Sequence, residues 1–299
     1  MTDQPLDTQA LFDAFRAAHP DIRPDYTIPQ KWEHYTNADH ATWKTLYTRL
    51  EKILPGYVCD EFLDGMGRLD IGRDKIPDFE DLSARLKKLT GWTVVAVPGL
   101  VPDATFFEHL ANRRFPAGNF IRAADQLDYI EQPDVFHDVF GHVPMLAHPV
   151  FADYIEAYGK GGLRALNSFH ALPNLARLYW YTVEFGLIRT PKGMKVYGAG
   201  IASSSAETIY SIDDPSPNRI GFDLERVMRT KYRIDDFQES YFVIDGFDQL
   251  FAETYKDFAP IYERLRSGAT YEPGQILASD TVHHRGLRTY KPHTHALSA

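Results

Sequence analysis

The sequence contains one cysteine, Cys59, so no intrachain disulfide can form, and nothing points to an oxidising compartment or a cysteine-built zinc site. Long apolar runs are also missing. The most apolar stretch, Val94-Val-Ala-Val-Pro-Gly-Leu-Val101, is far shorter than the roughly 20 residues needed to cross a bilayer. The amino terminus, Met1-Thr-Asp-Gln-Pro-Leu-Asp7, has neither a basic start nor an apolar segment, which leads us to expect an unexported, cytoplasmic protein without membrane contact. Positive charge is in deficit: 32 Lys and Arg face 41 Asp and Glu. The resulting net charge of −9 repels phosphate backbones, so nucleic acid is not an expected partner. There is no repeat and no low-complexity linker, and the C-terminal end shows no heptad.

What is present is a chain of ordinary globular composition, 299 residues with 44% hydrophobic and 24% charged side chains, long enough to bury a core without covalent staples. Its apolar residues recur mostly at helical spacing. Trp43, Leu46, Tyr47, Leu50 and Leu54 predict a helix from Ala41 that stops at Pro55-Gly56. Phe79, Leu82, Leu86 and Leu89 predict another that begins after Pro77-Asp78 and closes at Gly91. Further helices are expected at 103–113, 133–140, 149–158, 172–185, 203–210, 222–232 and 247–265. Strand-like pieces are few, at 92–97, 119–122, 195–197 and 241–244. The expectation is a mainly α protein with short β-strands. Residues 1–25 would form an N-terminal extension, 26–268 a single domain, and 269–299 a polar, loosely held C-terminal tail that includes His283, His284, His293 and His295.

The densest chemical signal is Pro133-Asp-Val-Phe-His-Asp-Val-Phe-Gly-His-Val-Pro144, with His137 inside a predicted helix and His142 five positions on. Five steps of about 100° leave the two rings roughly 140° apart on an ideal α-helix. A left-handed Gly141 that ended the helix would fold His142 back towards His137. The H-E-x-x-H arrangement of zinc proteases is not matched. If the two imidazoles hold a divalent ion they need an anionic partner. Glu184, in the aromatic helix Leu175-Ala-Arg-Leu-Tyr-Trp-Tyr-Thr-Val-Glu184, is the best candidate. A buried carboxylate there requires a cation, either Arg177 or a metal ion. Two histidines and one carboxylate on one face of an octahedron leave positions open, as in non-haem Fe(II) enzymes that activate oxygen. From the residues alone, histidines satisfied by carbonyls and a salt-bridged Glu184 stay open as well. Gly159-Lys-Gly-Gly162 lacks the phosphate-loop frame, and Gly198-Ala-Gly200 is too short for a dinucleotide fingerprint.

Three segments, Phe136-His-Asp-Val-Phe-Gly-His-Val-Pro144, Tyr179-Trp-Tyr-Thr-Val-Glu-Phe-Gly-Leu187 and Val196-Tyr-Gly-Ala-Gly-Ile-Ala-Ser-Ser204, closely resemble, in this order, motifs of the tetrahydropterin-dependent aromatic amino acid hydroxylases. The resemblance covers roughly residues 30–265 and is strongest to the bacterial members that consist of a catalytic domain alone and act on phenylalanine. It implies a mainly α catalytic domain at 26–268 and a metal site of His137, His142 and Glu184 holding Fe(II). It also implies conversion of L-phenylalanine to L-tyrosine with O2 and tetrahydrobiopterin, or a related tetrahydropterin, as cosubstrate. No side chain beyond the iron site is implied as a catalyst.

Further roles follow from the same resemblance. Phe106 matches the aromatic on which the pterin stacks, with Gly99 and Val101 beside it, and Asp138 and Tyr179 match residues near the pterin. A flat bicyclic ring without phosphate needs an aromatic face and a few amide contacts rather than a basic cradle. Arg122 matches the arginine that pairs with the substrate carboxylate, oriented by Asp134. A bidentate guanidinium suits that group better than an ammonium. Ser203 resembles the serine near the amino acid backbone, Trp180 the indole that walls the ring pocket, and Ile234 an apolar wall. Trp180 and Ile234 favour phenylalanine over tryptophan or tyrosine as substrate, because a phenol pocket would have to satisfy the hydroxyl. Two positions depart from the animal pattern: Asp138 stands for a Glu and Ile130 for a Thr. The alternatives are a hydroxylase of tryptophan or tyrosine, a metal-dependent hydrolase with Asp138 or Glu131 as base, or a non-enzymatic helical binding protein. The absent heptad tail points to a monomer.

Overall fold

Helices dominate the structure, and several begin at a side-chain cap. The computed structural model describes residues 8–291 apart from 129, 131, 170 and 255; Glu131, His293 and His295 therefore lie outside the described residues. The chain divides into two units, residues 8–52 with 60–168, and residues 53–59 with 169–291. No helix among the described residues is long and apolar enough to cross a membrane.

In the first unit α1 (Thr8–Ala18) is followed by α2 (Asn37–Glu51), which opens on a reciprocal cap. The Thr36 hydroxyl accepts from the Asp39 N–H while the Asp39 carboxylate accepts from the Thr36 N–H. Trp43, Leu46 and Leu50 of α2 are buried. The expected stop at Pro55-Gly56 falls inside a single turn, α3 (Leu54–Tyr57), which belongs to the second unit. Next come α4 (Asp60–Leu69) and α5 (Phe79–Thr90), the latter capped by Asp78 and closed by Gly91 in the left-handed conformation, φ 80°. β1 (Thr93–Val97) and β2 (Arg114–Gly118) pair in parallel, with α6 (Asp103–Ala111) as the crossover between them.

The strand expected at 119–122 lies at 114–118 instead. Pro116 disguised it, since proline cannot donate to a ladder. A two-stranded sheet has only edges and tolerates it. α7 (Val143–Leu146) and α8 (Pro149–Arg164) complete the unit. Gly159 and Gly162 are not a loop but part of α8. A Cβ on Gly159 would come within 2.4 Å of Ala111 N, and one on Gly162 within 2.1 Å of the Phe107 ring, so these glycines allow α8 to lie against α6.

The second unit contains α9 (Leu172–Tyr179), β3 (Leu187–Thr190), β4 (Gly193–Val196), α10 (Ala199–Ala202) and α11 (Ser205–Asp213). It continues through β5 (Asn218–Gly221), α12 (Leu224–Arg229), β6 (Ser240–Ile244), α13 (Phe247–Thr254), α14 (Phe258–Arg266) and β7 (Val282–His284). The strands form one mixed sheet in the order β4-β3-β6-β5-β7, with every residue of the central β6 buried. The single helix expected at 247–265 is two, because the Asp257 carboxylate accepts from the Ala259 N–H and starts a new one.

The tail expected to be loosely held is woven into this unit up to residue 291. β7 pairs antiparallel with β5, Asn218 accepts from the Gly286 N–H, and Asp280 forms an ion pair with Arg226 in which the side chains are 3% and 5% exposed. Composition registers the polarity of these residues but not the buried partners that satisfy them.

Candidate functional site

The segment expected to be an ordinary helix turn ending at Gly141 is a π-helix, Phe136–His142. Gly141 is not among the glycines with positive φ, so the anticipated left-handed fold-back does not occur. Hydrogen bonds to the fifth residue add about one residue to each turn, which returns position i+5 to nearly the same face. The rings of His137 and His142 therefore meet, their Nε2 atoms 3.2 Å apart and their planes at 79°. Phe136 and Phe140 stack on each other at 4.6 Å, and Trp43 packs edge-on against Phe136, anchoring the apolar side of the segment in the core. His142 is 5% exposed and lies against Phe115, while His137 is half-buried.

Two Nε2 atoms at this separation either share a proton or share a cation. Two nitrogen ligands about 2.1 Å from one ion and at right angles lie about 3 Å apart, so the pair fits a common divalent ion. Asp138 completes a cluster in which one ligand atom from each of His137, Asp138 and His142 lies within 4.8 Å of the others. One of its carboxylate oxygens already accepts from the Gly118 N–H at 2.7 Å, which ties the π-helix to the end of β2.

Asp134 sits one turn before His137 and is fully buried. Its carboxylate takes Arg122 side-on, Nε at 2.8 Å and Nη2 at 2.9 Å, and also accepts from the backbone N–H groups of Arg122 and His137. Burial alone would raise the Asp134 pKa; the Arg122 hydrogen bonds and charge, with the two backbone donors, hold it below 3.8. The expected pairing of Asp134 with Arg122 thus takes the Nε and Nη2 edge of the guanidinium. Elsewhere in this unit Gly99 is buried and Val101 and Phe106 are half-buried. Phe106 sits on α6, edge-on to Phe107 at 6.0 Å.

In the second unit α9 runs on into another π-helix, Trp180–Glu184, which Glu184 ends. Glu184 is half-buried rather than buried, and Arg177 donates to the Met228 carbonyl at 3.2 Å. Tyr179 is the last residue of α9. The Trp180 indole stacks on Tyr232 at 4.4 Å and lies against Phe185 at 4.7 Å, and its N–H donates to Gln238. Ser203 ends α10 with its hydroxyl donating to the Ala199 carbonyl. Ile234 is 62% exposed, in the segment between α12 and β6.

Three further residues bear on these positions and were not among the candidate site residues. A Cβ on Gly198 would approach the Glu184 carbonyl oxygen to 2.4 Å, so the Gly198-Ala-Gly200 step set aside as a nucleotide loop is what lets α10 close on the π-helix. Gln238 holds the Trp180 indole, and Glu207, buried, accepts from both Tyr241 and the Gln238 N–H. A glycine needed for close approach looks like any loop glycine, and a lone Gln or Glu shows no periodicity.

Residues 2–275 match the family of biopterin-dependent aromatic amino acid hydroxylases, and the chain belongs to that family. Among its relatives, the phenylalanine-4-hydroxylase of Caulobacter vibrioides is 62% identical over 91% of this chain and 92% of its own length. That of Ralstonia nicotianae is 59% identical over 89% and 85%. The structure is similar to Chromobacterium violaceum phenylalanine hydroxylase with bound oxidised Fe(III), at TM-score 0.86 and 56% identity over 93% of this chain and all of that one. A cobalt-bound form of the same protein matches at TM-score 0.85 and 59% identity over 86% of this chain and 93% of that one.

Proposed function

We propose that this protein is a phenylalanine 4-monooxygenase that converts L-phenylalanine to L-tyrosine with O2 and a tetrahydropterin at a non-haem Fe(II) site. The observation that carries the reading is the facing His137 and His142 pair on a π-helix, in a chain 62% identical to a phenylalanine-4-hydroxylase. When bound, the ferrous ion and the tetrahydropterin supply the electrons and the open coordination positions for O2.

The side chains then bind, orient and exclude. His137 and His142 are the nitrogen ligands, and Glu184 is assigned as the carboxylate ligand because its motif matches that of the family. Asp134 fixes Arg122 so that the free end of the guanidinium receives the substrate carboxylate. Trp180, Ser203 and Ile234 are assigned to the amino acid. Gly99, Val101, Phe106, Asp138 and Tyr179 are assigned to the pterin, with Phe106 as the stacking face. The family match runs across residues 2–275, which supports one catalytic domain at 26–268. We read the protein as a cytoplasmic monomer, for which a concentration-independent mass in solution is the check.

The test is anaerobic loading with Fe(II), then O2, tetrahydropterin and phenylalanine, tyrosine or tryptophan in turn, with products identified by mass. Tyrosine from phenylalanine is expected, and its absence overturns the assignment. Glu184→Ala is expected to abolish turnover; retained turnover removes Glu184 from the ligand set.

A further inference from the structure

Gln238 is 1% exposed and immediately precedes β6. Its carboxamide is used on both sides. Oε1 accepts from the Trp180 indole N–H at 2.9 Å, and Nε2 donates to the carbonyls of Arg233 at 3.0 Å and Asp236 at 3.4 Å. The orientation of the amide is unambiguous, because an indole N–H can only donate and a carbonyl can only accept. One side chain thus joins the indole, whose ring stacks on Tyr232, to the turn on which Ile234 stands exposed.

The seat of Gln238 is equally fixed. Its backbone N–H donates to Glu207 at 3.3 Å, and the same carboxylate oxygen takes the Tyr241 hydroxyl at 2.8 Å. Glu207, itself held by Tyr241, thus fixes the backbone of Gln238, whose carboxamide fixes the indole and the 233–236 turn at one spacing. Gln238 is itself buried, so losing its amide leaves the indole N–H and the two carbonyls to seek other partners.

We propose that Gln238 is a positioning residue for substrate selection, setting the distance between the Trp180 ring and the 233–236 turn that carries Ile234. The proposal rests on the reading of Trp180 and Ile234 as walls of the amino acid pocket. With the amide in place the indole and the turn are held at one spacing. Without it the turn is free to move outward and the pocket admits a larger ring. The effect belongs to selection rather than to iron or pterin binding, because Gln238 makes no bond to any residue assigned to either.

The experiment compares Gln238→Glu and Gln238→Leu with the parent, each loaded with Fe(II). The Glu variant keeps an acceptor for the indole but loses both donors to the turn; the Leu variant loses everything. The ratio of kcat/KM for phenylalanine to that for tryptophan is expected to fall about tenfold in both, the size of one misplaced pocket contact. Iron content and pterin KM should stay at parent values. A ratio unchanged within about twofold, in variants that retain iron, overturns the proposal. Trp180→Phe is the second variant: it removes the N–H along with part of the wall and so shifts the ratio by itself, but adding Gln238→Leu to it should change the ratio less than Gln238→Leu does in the parent. Full additivity of the two rejects the coupling even if one Gln238 variant folds poorly. An activity-free readout separates this inference from the assigned reaction. By NMR, the Trp180 indole N–H should exchange faster with solvent in Gln238→Leu than in the parent, and an unchanged exchange rate counts against the bridge whether or not the parent makes tyrosine.

Discussion

Asp134 binds Arg122 by both carboxylate oxygens and, with the same group, accepts from the backbone N–H of His137. One buried acid therefore orders the arginine assigned to the substrate and the start of the π-helix that carries the histidine pair. Replacing it by Asn leaves a buried guanidinium without its counter-charge, at a cost of about 3 kcal/mol. We expect Asp134→Asn to lower the urea midpoint accordingly and to raise the phenylalanine KM about tenfold, more than it changes kcat. Because the folded carboxyl titrates below 3.8, its contribution to stability is present above the unfolded value and is lost as pH falls through the folded one. The acid limb of the stability profile should therefore be shallower in the variant. Equal KM in both proteins would show that Arg122 needs no such orientation.

How far the sequence led can be judged at the histidines. The residue types and the motif were legible, but their approach was attributed to a left-handed glycine, whereas the wider turn of a π-helix achieves it. Phe136 and Phe140, four residues apart, stack on each other in the core, while the extra residue of the π-turn brings His142, five residues on, round to His137. The long helices were legible from periodicity, and the Asp78 cap and Gly91 closure fell where local chemistry put them. Four-residue strands such as β3 and β5 are too short to show a period, and partners that lie far apart in sequence, such as Arg226 and Asp280, leave no local trace.

Gly198→Ala tests whether backbone closeness positions Glu184. The added Cβ would lie 2.4 Å from the Glu184 carbonyl oxygen and 2.5 Å from the Gly186 nitrogen, both backbone atoms that cannot swing aside. A cost of about 1–3 kcal/mol in stability is expected. With the end of the π-helix displaced, Fe(II) affinity should weaken by about tenfold in an equilibrium titration. Parent-like affinity would mean that Glu184 tolerates the shift.

Glu207 gives a pH signature of the opposite sign to Asp134. Burial raises its carboxyl to about 7, although the Tyr241 hydroxyl and the Gln238 N–H lower it and the negative charge of Asp236 raises it further. The folded state then holds a proton that the unfolded chain releases above 4.5, so stability falls as pH rises from there through 7. The total amounts to about 3 kcal/mol. Glu207→Gln cannot ionise and keeps an acceptor for Tyr241. Its urea midpoint should lose this decline between about pH 5 and about pH 8 and exceed that of the parent at the upper end. Parallel profiles would show that Glu207 is already charged throughout that range.

Asp280→Ala addresses the C-terminal segment. Arg226 donates from Nε to Asp280, from Nη1 to Thr230 and from Nη2 to the Gln275 carbonyl, with its guanidinium over the Tyr271 ring at 4.9 Å. Three of these four partners lie beyond residue 268, so the segment supplies most of what satisfies one buried charge of α12. Removing only the carboxylate leaves that charge inside with neutral acceptors, which costs about 3–5 kcal/mol. The double variant Arg226→Met with Asp280→Ala removes the charge as well and should recover most of the loss, since an apolar side chain of similar length fills the space without needing a partner. Calorimetric unfolding of the two proteins decides the matter. A single variant as stable as the parent would return the segment to the status of a dispensable tail, whereas loss in the single and recovery in the double identifies the ion pair as the reason the chain end is held.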